Sequence, residues 1–153
     1  MAHTRKIKEM LMTAIFEVFE RGFFVFAEPV READADYRIR ADIEFRGPIE
    51  GALKIFMSDE LAHVMVKNML SLDDDQVTKP VIEDCVKECI NMICGSFVRR
   101  VDPDHVFDLA IPGFERILHP NGDREGQSDS CIRLVFDTEA GAFEVMMTAS
   151  GCP

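Results

Sequence analysis

The chain has 153 residues, of which 47% are hydrophobic and 29% charged, and its formal net charge is −11. That length suits a single domain over residues 1–153 with a substantial core, and that balance belongs to a globular protein rather than a disordered one. The acidity argues against nucleic acid or an anionic membrane as a partner, since both require a positive surface, and no apolar run approaches the roughly 20 residues of a membrane span.

The first residues, MAHTRKIKEM, are basic but lead into an amphipathic pattern, not into the short apolar core of a signal peptide. A cytoplasmic protein is therefore expected. The five cysteines are Cys85, Cys89, Cys94, Cys131 and Cys152. An odd count without a signal peptide argues against a disulfide framework. Cys85, Cys89 and Cys94 share one helical stretch that lacks C-x2-C spacing, so they read as buried thiols and not as metal ligands. A cysteine-based redox or metal sensor is the weakest of the functional readings.

In chain order, KIKEMLMTAIFEVFERGFFVFAEP reads as a first helix, with Ile7, Leu11, Ala14, Ile15, Val18 and Phe19 at helical spacing. Gly22 weakens its end and Pro29 closes it. DYRIRADIEFRGPIEGALKIFMS alternates, with Tyr37, Ile39, Ala41, Ile43 and Phe45 on one face and charges on the other. It reads as two strands turning at Gly47-Pro48. Ser58 is a good N-cap for a short helix, SDELAHVMVKNML, and Asp59 and Glu60 suit its positive end. After the polar connection SLDDDQVTKP, a long helix runs from about Lys79 to about Val101 and stops at Asp102-Pro103. HVFDLAIPGFERIL reads as a strand interrupted or ended at Pro112, and HPNGDREGQSDS as a loop. CIRLVFDTEAGAFEVMMTAS reads as a closing hairpin that turns at Glu139-Ala140-Gly141. This order predicts an α+β domain: a largely antiparallel sheet with long helices packed on one face. A helix followed by strands in each half hints at a weak internal duplication.

At about 100° per residue, Ile82, Val86, Cys89, Ile90, Ile93 and Phe97 make the core face of the long helix. Asp84, Glu88, Asn91, Gly95 and Arg99 lie opposite. Glu88 and Asn91 are at i and i+3, so they are neighbours on that surface. A face selected only for helix stability would use Glu, Lys, Gln and Ala. Instead it carries Asn91, and then Gly95 at a cost of about 1 kcal/mol relative to Ala. That choice fits close contact with another surface better than plain solvation.

Asp84-x3-Glu88-x2-Asn91 with the later Pro112 resembles the signature of the CheC/CheX/FliY chemotaxis phosphatases. ECINMICG is similar to that family's helix, and FDLAIPG to the strand that carries its proline. GALKIFMSDELAHVMVKNML and FDTEAGAFEVMMTAS also resemble family segments. The length and the single motif look most like CheX, because CheC carries two copies. Here Glu17-x2-Glu20 and Glu60-x2-His63 supply no second asparagine. Ser96 departs from the pattern, since many relatives have Asn after the glycine.

The resemblance implies dephosphorylation of a phosphorylated CheY-like response regulator, in chemotaxis or a related two-component pathway. Asn91 would position the attacking water, and Glu88 would contact the partner's active-site lysine. Asp84, Gly95, Arg99 and Pro112 would help to seat the partner. No cofactor or metal is expected on this chain, while Mg²⁺ is expected in the regulator. Resemblance to CheX also implies a homodimer, with the sheet edges as pairing surfaces. The alternative is a non-catalytic module of the same fold that docks a response regulator or flagellar protein.

Overall fold

A computed structural model describes residues 2–118 and 132–150, with side chains from Thr4 onward. The loop expected over 119–130, and Cys131 and Cys152, lie outside these residues. Helix α1 (Ala2–Glu17) continues into a π-helical turn, Val18–Gly22. The amides of Phe23 and Val25 both bond back to the Phe19 carbonyl, at 3.3 and 2.9 Å. Helical structure ends at this point, earlier than the sequence suggests. Phe24 adopts a left-handed φ of 55°, and burial then alternates from Phe23 to Phe26. Pro29 does not close a helix. It lies in strand β1 (Glu28–Val30), which pairs with β6 (Ile132–Asp137) at the sheet edge, where a missing amide proton is tolerated.

Strands β2 (Ile39–Arg46) and β3 (Gly51–Met57) form the expected hairpin. Helix α2 (Asp59–Leu70) is capped as expected, its Leu61 amide donating to Ser58 Oγ at 3.2 Å. The polar connection is tied down by Asp74. Its carboxylate accepts Lys67 at 2.7 Å and His63 at 3.1 Å. Helix α3 (Lys79–Val101) has Pro80 in its first turn, and Arg99 and Arg100 complement the negative end of its dipole.

The strand around Pro112 is broken into β4 (Asp108–Leu109) and β5 (Gly113–Arg116). Leu109 is opposite Phe45 and Gly113 is opposite Asp42, so Ala110, Ile111 and Pro112 face only Glu44 and Ile43. One residue is extra, which makes a bulge with Pro112 in it. The chain closes with β6 and β7 (Phe143–Ala149). The sheet runs β1-β6-β7-β3-β2-β4, β5 also pairs with β2, and all pairings are antiparallel.

One face of the sheet and the three helices share the main core. Phe143 stacks on Phe19 at 4.1 Å and on Phe136 at 4.9 Å, joining the end of the first helix to β6 and β7. Phe45 of β2 meets Phe97 of α3 edge-on at 6.0 Å. The opposite face is not simply wet. Segment 31–37 covers a smaller cluster of Tyr37, Phe56, Ile117, Ala142 and Met146. Glu144 is fully buried on that side and accepts from Arg133 at 2.8 Å. Arg133 also reaches Glu32, and both carboxylates hold its pKa above the usual value.

Ile82, Val86, Cys89, Ile90, Ile93 and Phe97 are all buried, as the helical spacing requires. Cys85, Cys94, Ser96 and Val98 widen the buried face. Cys85, Cys89 and Cys94 are unpaired. Burial pushes the Cys85 and Cys94 thiols up to about 12, with the charge of Glu88 adding to the effect at Cys85. Burial raises Cys89 as well. At pH 8 these three thiols should resist iodoacetamide in native protein and react readily once denaturant is added, because the thiolate is the nucleophile. Peptide mapping by mass spectrometry checks this, and fast native labelling of Cys89 would contradict the burial.

Candidate active site on the long helix

Because the core face of α3 is fully packed, its opposite side is forced outward. Asp84, Glu88 and Arg99 are exposed, and Asn91 and Gly95 are half-buried. The steps between them are four, three, four and four residues, so they form one stripe about 22 Å long at 1.5 Å per residue. None of the four polar side chains makes a hydrogen bond or ion pair to the other described residues. Nearby charges do pair: Lys87 with Glu83 at 2.9 Å, and Arg100 with Glu17. The stripe is thus left available to something outside the chain.

Gly95 has no internal reason to be glycine. A Cβ placed there would meet nothing within 4 Å. Gly22 contrasts with it, because a Cβ there would come within 3.1 Å of Met92 Cε. The π-helical turn therefore packs close against α3, directly beside Asn91.

Asn91, Gly95 and Arg99 line a groove of about 650 Å³ between α3, the π-helical turn and the segment before β4. Ser96, the residue that departs from the family pattern, is buried in its floor. Asp84 sits elsewhere, in a hollow with Phe114 and Arg116. Pro112 lines neither space. The bulge that carries Pro112 lies in the chain between Leu109, which lines the groove with Asn91, and Phe114, which lines the hollow with Asp84. Arg21, Gly22 and Val106 also line the groove, and sequence reading did not select them. The only hint of them was Gly22 interrupting the first helix.

The arrangement offers an exposed carboxylate and an amide one turn apart on a rigid helix. Among the described residues, no group of three or more His, Cys, Asp or Glu is placed to hold a metal ion. Residues 39–132 match the family model of the chemotaxis phosphatase CheX. The chain belongs to the CheX family. The CheX fold is matched along nearly the whole chain by CheX from Vibrio vulnificus, with a TM-score of 0.76 and 18% identity over 94% of this chain and 96% of that one. The CheX–CheY–BeF3–Mg²⁺ complex from Borrelia burgdorferi matches with a TM-score of 0.70 and 22% identity over 92% and 96% of the two chains. FliY from Thermotoga maritima matches more distantly, with a TM-score of 0.62 and 11% identity over 95% and 87%. No curated protein matches the chain.

A glycine without internal justification gives a direct expectation. Gly95→Ala should raise stability by about 0.4–1 kcal/mol, since Ala fits the open space and is the better helix former. Thermal unfolding checks this. A destabilised variant would mean that Gly95 serves the fold and not the exposed stripe.

Proposed function

We propose that this chain hydrolyses the aspartyl phosphate of a CheY-like response regulator, with Asn91 and Glu88 as the acting residues. The observation that carries the proposal is the pair itself: Glu88 and Asn91 project from a packed helix, with no partner among the described residues, beside an unnecessary glycine. The choice of partner is supported by family membership and by the fold shared with the Borrelia burgdorferi CheX–CheY complex.

An acyl phosphate is already activated, so positioning and electrostatics supply most of the acceleration. The Asn91 amide both donates and accepts, which suits it to hold a water in line with the P–O bond. The water oxygen bonds to phosphorus, the bond to the aspartyl oxygen breaks, and the regulator's carboxylate departs with the electron pair. The products are free carboxylate and inorganic phosphate. Mg²⁺, expected in the regulator's own site, neutralises phosphoryl charge. Glu88 holds the partner through a charge-assisted contact to its lysine. Asp84, Gly95 and Arg99 extend the contact along α3, and Pro112 shapes the strand beside it.

The same reading takes 1–153 as one phosphatase domain acting in the cytoplasm as a homodimer. Among the described residues no helix is long and apolar enough to cross a membrane.

Asn91→Ala should lower kcat by about 10²–10³ while the variant still binds the phosphorylated regulator, because a positioned polar group acts on the transition state. Glu88→Ala should lose binding as well as rate. A dephosphorylation assay beside a binding titration separates the two. If Asn91→Ala kept full activity, the positioned-water mechanism would be wrong. If the wild-type chain bound the regulator without hydrolysis, it would be a docking module.

A further inference from the structure

The groove beside Asn91 carries cationic side chains although the chain as a whole is acidic. The chain carries −11 overall, yet two arginines, Arg21 and Arg99, stand on the rim of this groove. Both are exposed, and neither has a carboxylate partner among the described residues. The one carboxylate in the groove wall, Glu17, is already neutralised by Arg100. The lining also includes apolar Met92 and Val106, the latter 91% exposed, and His105, which pairs with Asp102 at 2.7 Å.

The groove also owes its shape to a special backbone feature. The π-helical turn places Arg21 beside α3, and Gly22 permits the approach because a side chain there would crowd Met92. Such turns often mark functional sites in helices.

We propose that this groove carries the regulator's docking surface beyond α3, with Arg21 joining Arg99 to receive acidic groups next to its phosphorylated aspartate and Val106 covering an adjacent apolar patch. The proposal rests on the phosphatase reading and extends it. Asn91 is a wall of the groove, so a partner that brings phosphate to Asn91 must present its neighbouring surface to the arginines. That surface carries a phosphoryl group, which adds about −1.5 to −2 charges, and the carboxylates that a Mg²⁺ site needs; Mg²⁺ offsets part of this charge, and the oxyanions it leaves uncoordinated are what the arginines receive. Arginine forks are well matched to both kinds of oxyanion. Arg21 and Arg99 are thus positioning residues. They capture and orient the partner, while Asn91 and Glu88 act at the phosphate.

The test compares Arg21→Glu, Arg99→Glu and Lys54→Glu. Each shifts net charge equally, but Lys54 is exposed on the sheet, outside the groove. KM for the phosphorylated regulator and Kd for the regulator loaded with beryllium trifluoride, a phosphoryl mimic, are measured across salt concentrations. Rim charges act mainly on association and its salt dependence. Each arginine variant should raise KM and Kd by about tenfold and flatten the salt dependence, with Lys54→Glu close to wild type and Arg99→Lys partly restored. Equal effects in all three reversals would reduce the result to net charge and overturn the proposal, as would no effect in any. Light scattering tests for a second copy of the chain in the groove. Dissociation of an oligomer by Arg21→Glu, with regulator Kd unchanged, would assign the groove to self-association instead. Wild-type binding without hydrolysis sinks the phosphatase reading but leaves the groove tested by Kd; no wild-type binding overturns both.

Discussion

Helix α3 can sit against the sheet in one rotation only. Val86, Cys89, Ile90, Ile93 and Phe97 are all fully buried, and Phe97 meets the edge of Phe45 on β2. Turning the helix by one residue, about 100°, would expose several of these groups and press Glu88 or Asn91 toward the core. Exposing each large apolar side chain costs about 1.5–3 kcal/mol, so the alternative rotation is excluded by several such terms together. The outward stripe is therefore placed by apolar packing on the other side of the same helix. The backbone beneath this carboxylate and amide is already ordered, so engaging a partner costs them side-chain rotamer entropy but no further backbone ordering.

That rigidity matters because the proposed chemistry asks for no nucleophile, metal or strongly shifted acid from this chain. The buried thiols illustrate the point. Cys85 and Cys94 are pushed up to about 12 and Cys89 is raised too, so all three serve as packing groups. What the proposed mechanism asks of the chain is placement: one polar group for a water, one charge for the partner, and a gap at Gly95 where the partner can approach. In the proposed docking, Arg21 and Arg99 add direction to the encounter in a chain of acidic net charge.

The elements differed in how far the residues alone revealed them. The long helix and its two faces were legible because helical spacing repeats over many residues, and the buried set matches the expected one. The β2–β3 hairpin and the Ser58 cap were legible for similar local reasons. Strand β1 was not. Three residues beside a proline carry no period, and only pairing with β6 makes them a strand. The break at Pro112 was visible, but its form as a bulge depended on how many residues of β2 lie opposite it. The closing hairpin was legible, but the burial of Glu144 within it was not: segment 31–37 folds over that face and Arg133 neutralises the carboxylate.

Glu88, Asn91 and Gly95 could be selected from the sequence by their spacing on one helix, since neighbours one turn apart are fixed by helical geometry alone. The family resemblance could be read from the same residues and from Pro112. Arg21 and Val106 could not be selected in this way, because Arg21 is far from α3 in the chain, Val106 follows the end of the helix by five residues, and no helical period connects either to it. Tertiary packing decided that they share a groove with Asn91, through the π-helical turn that Gly22 brings against Met92 and through the return of the chain past Phe107 into β4. Local periodicity determines which face a helix turns outward; only the packing of distant segments decides what stands beside that face.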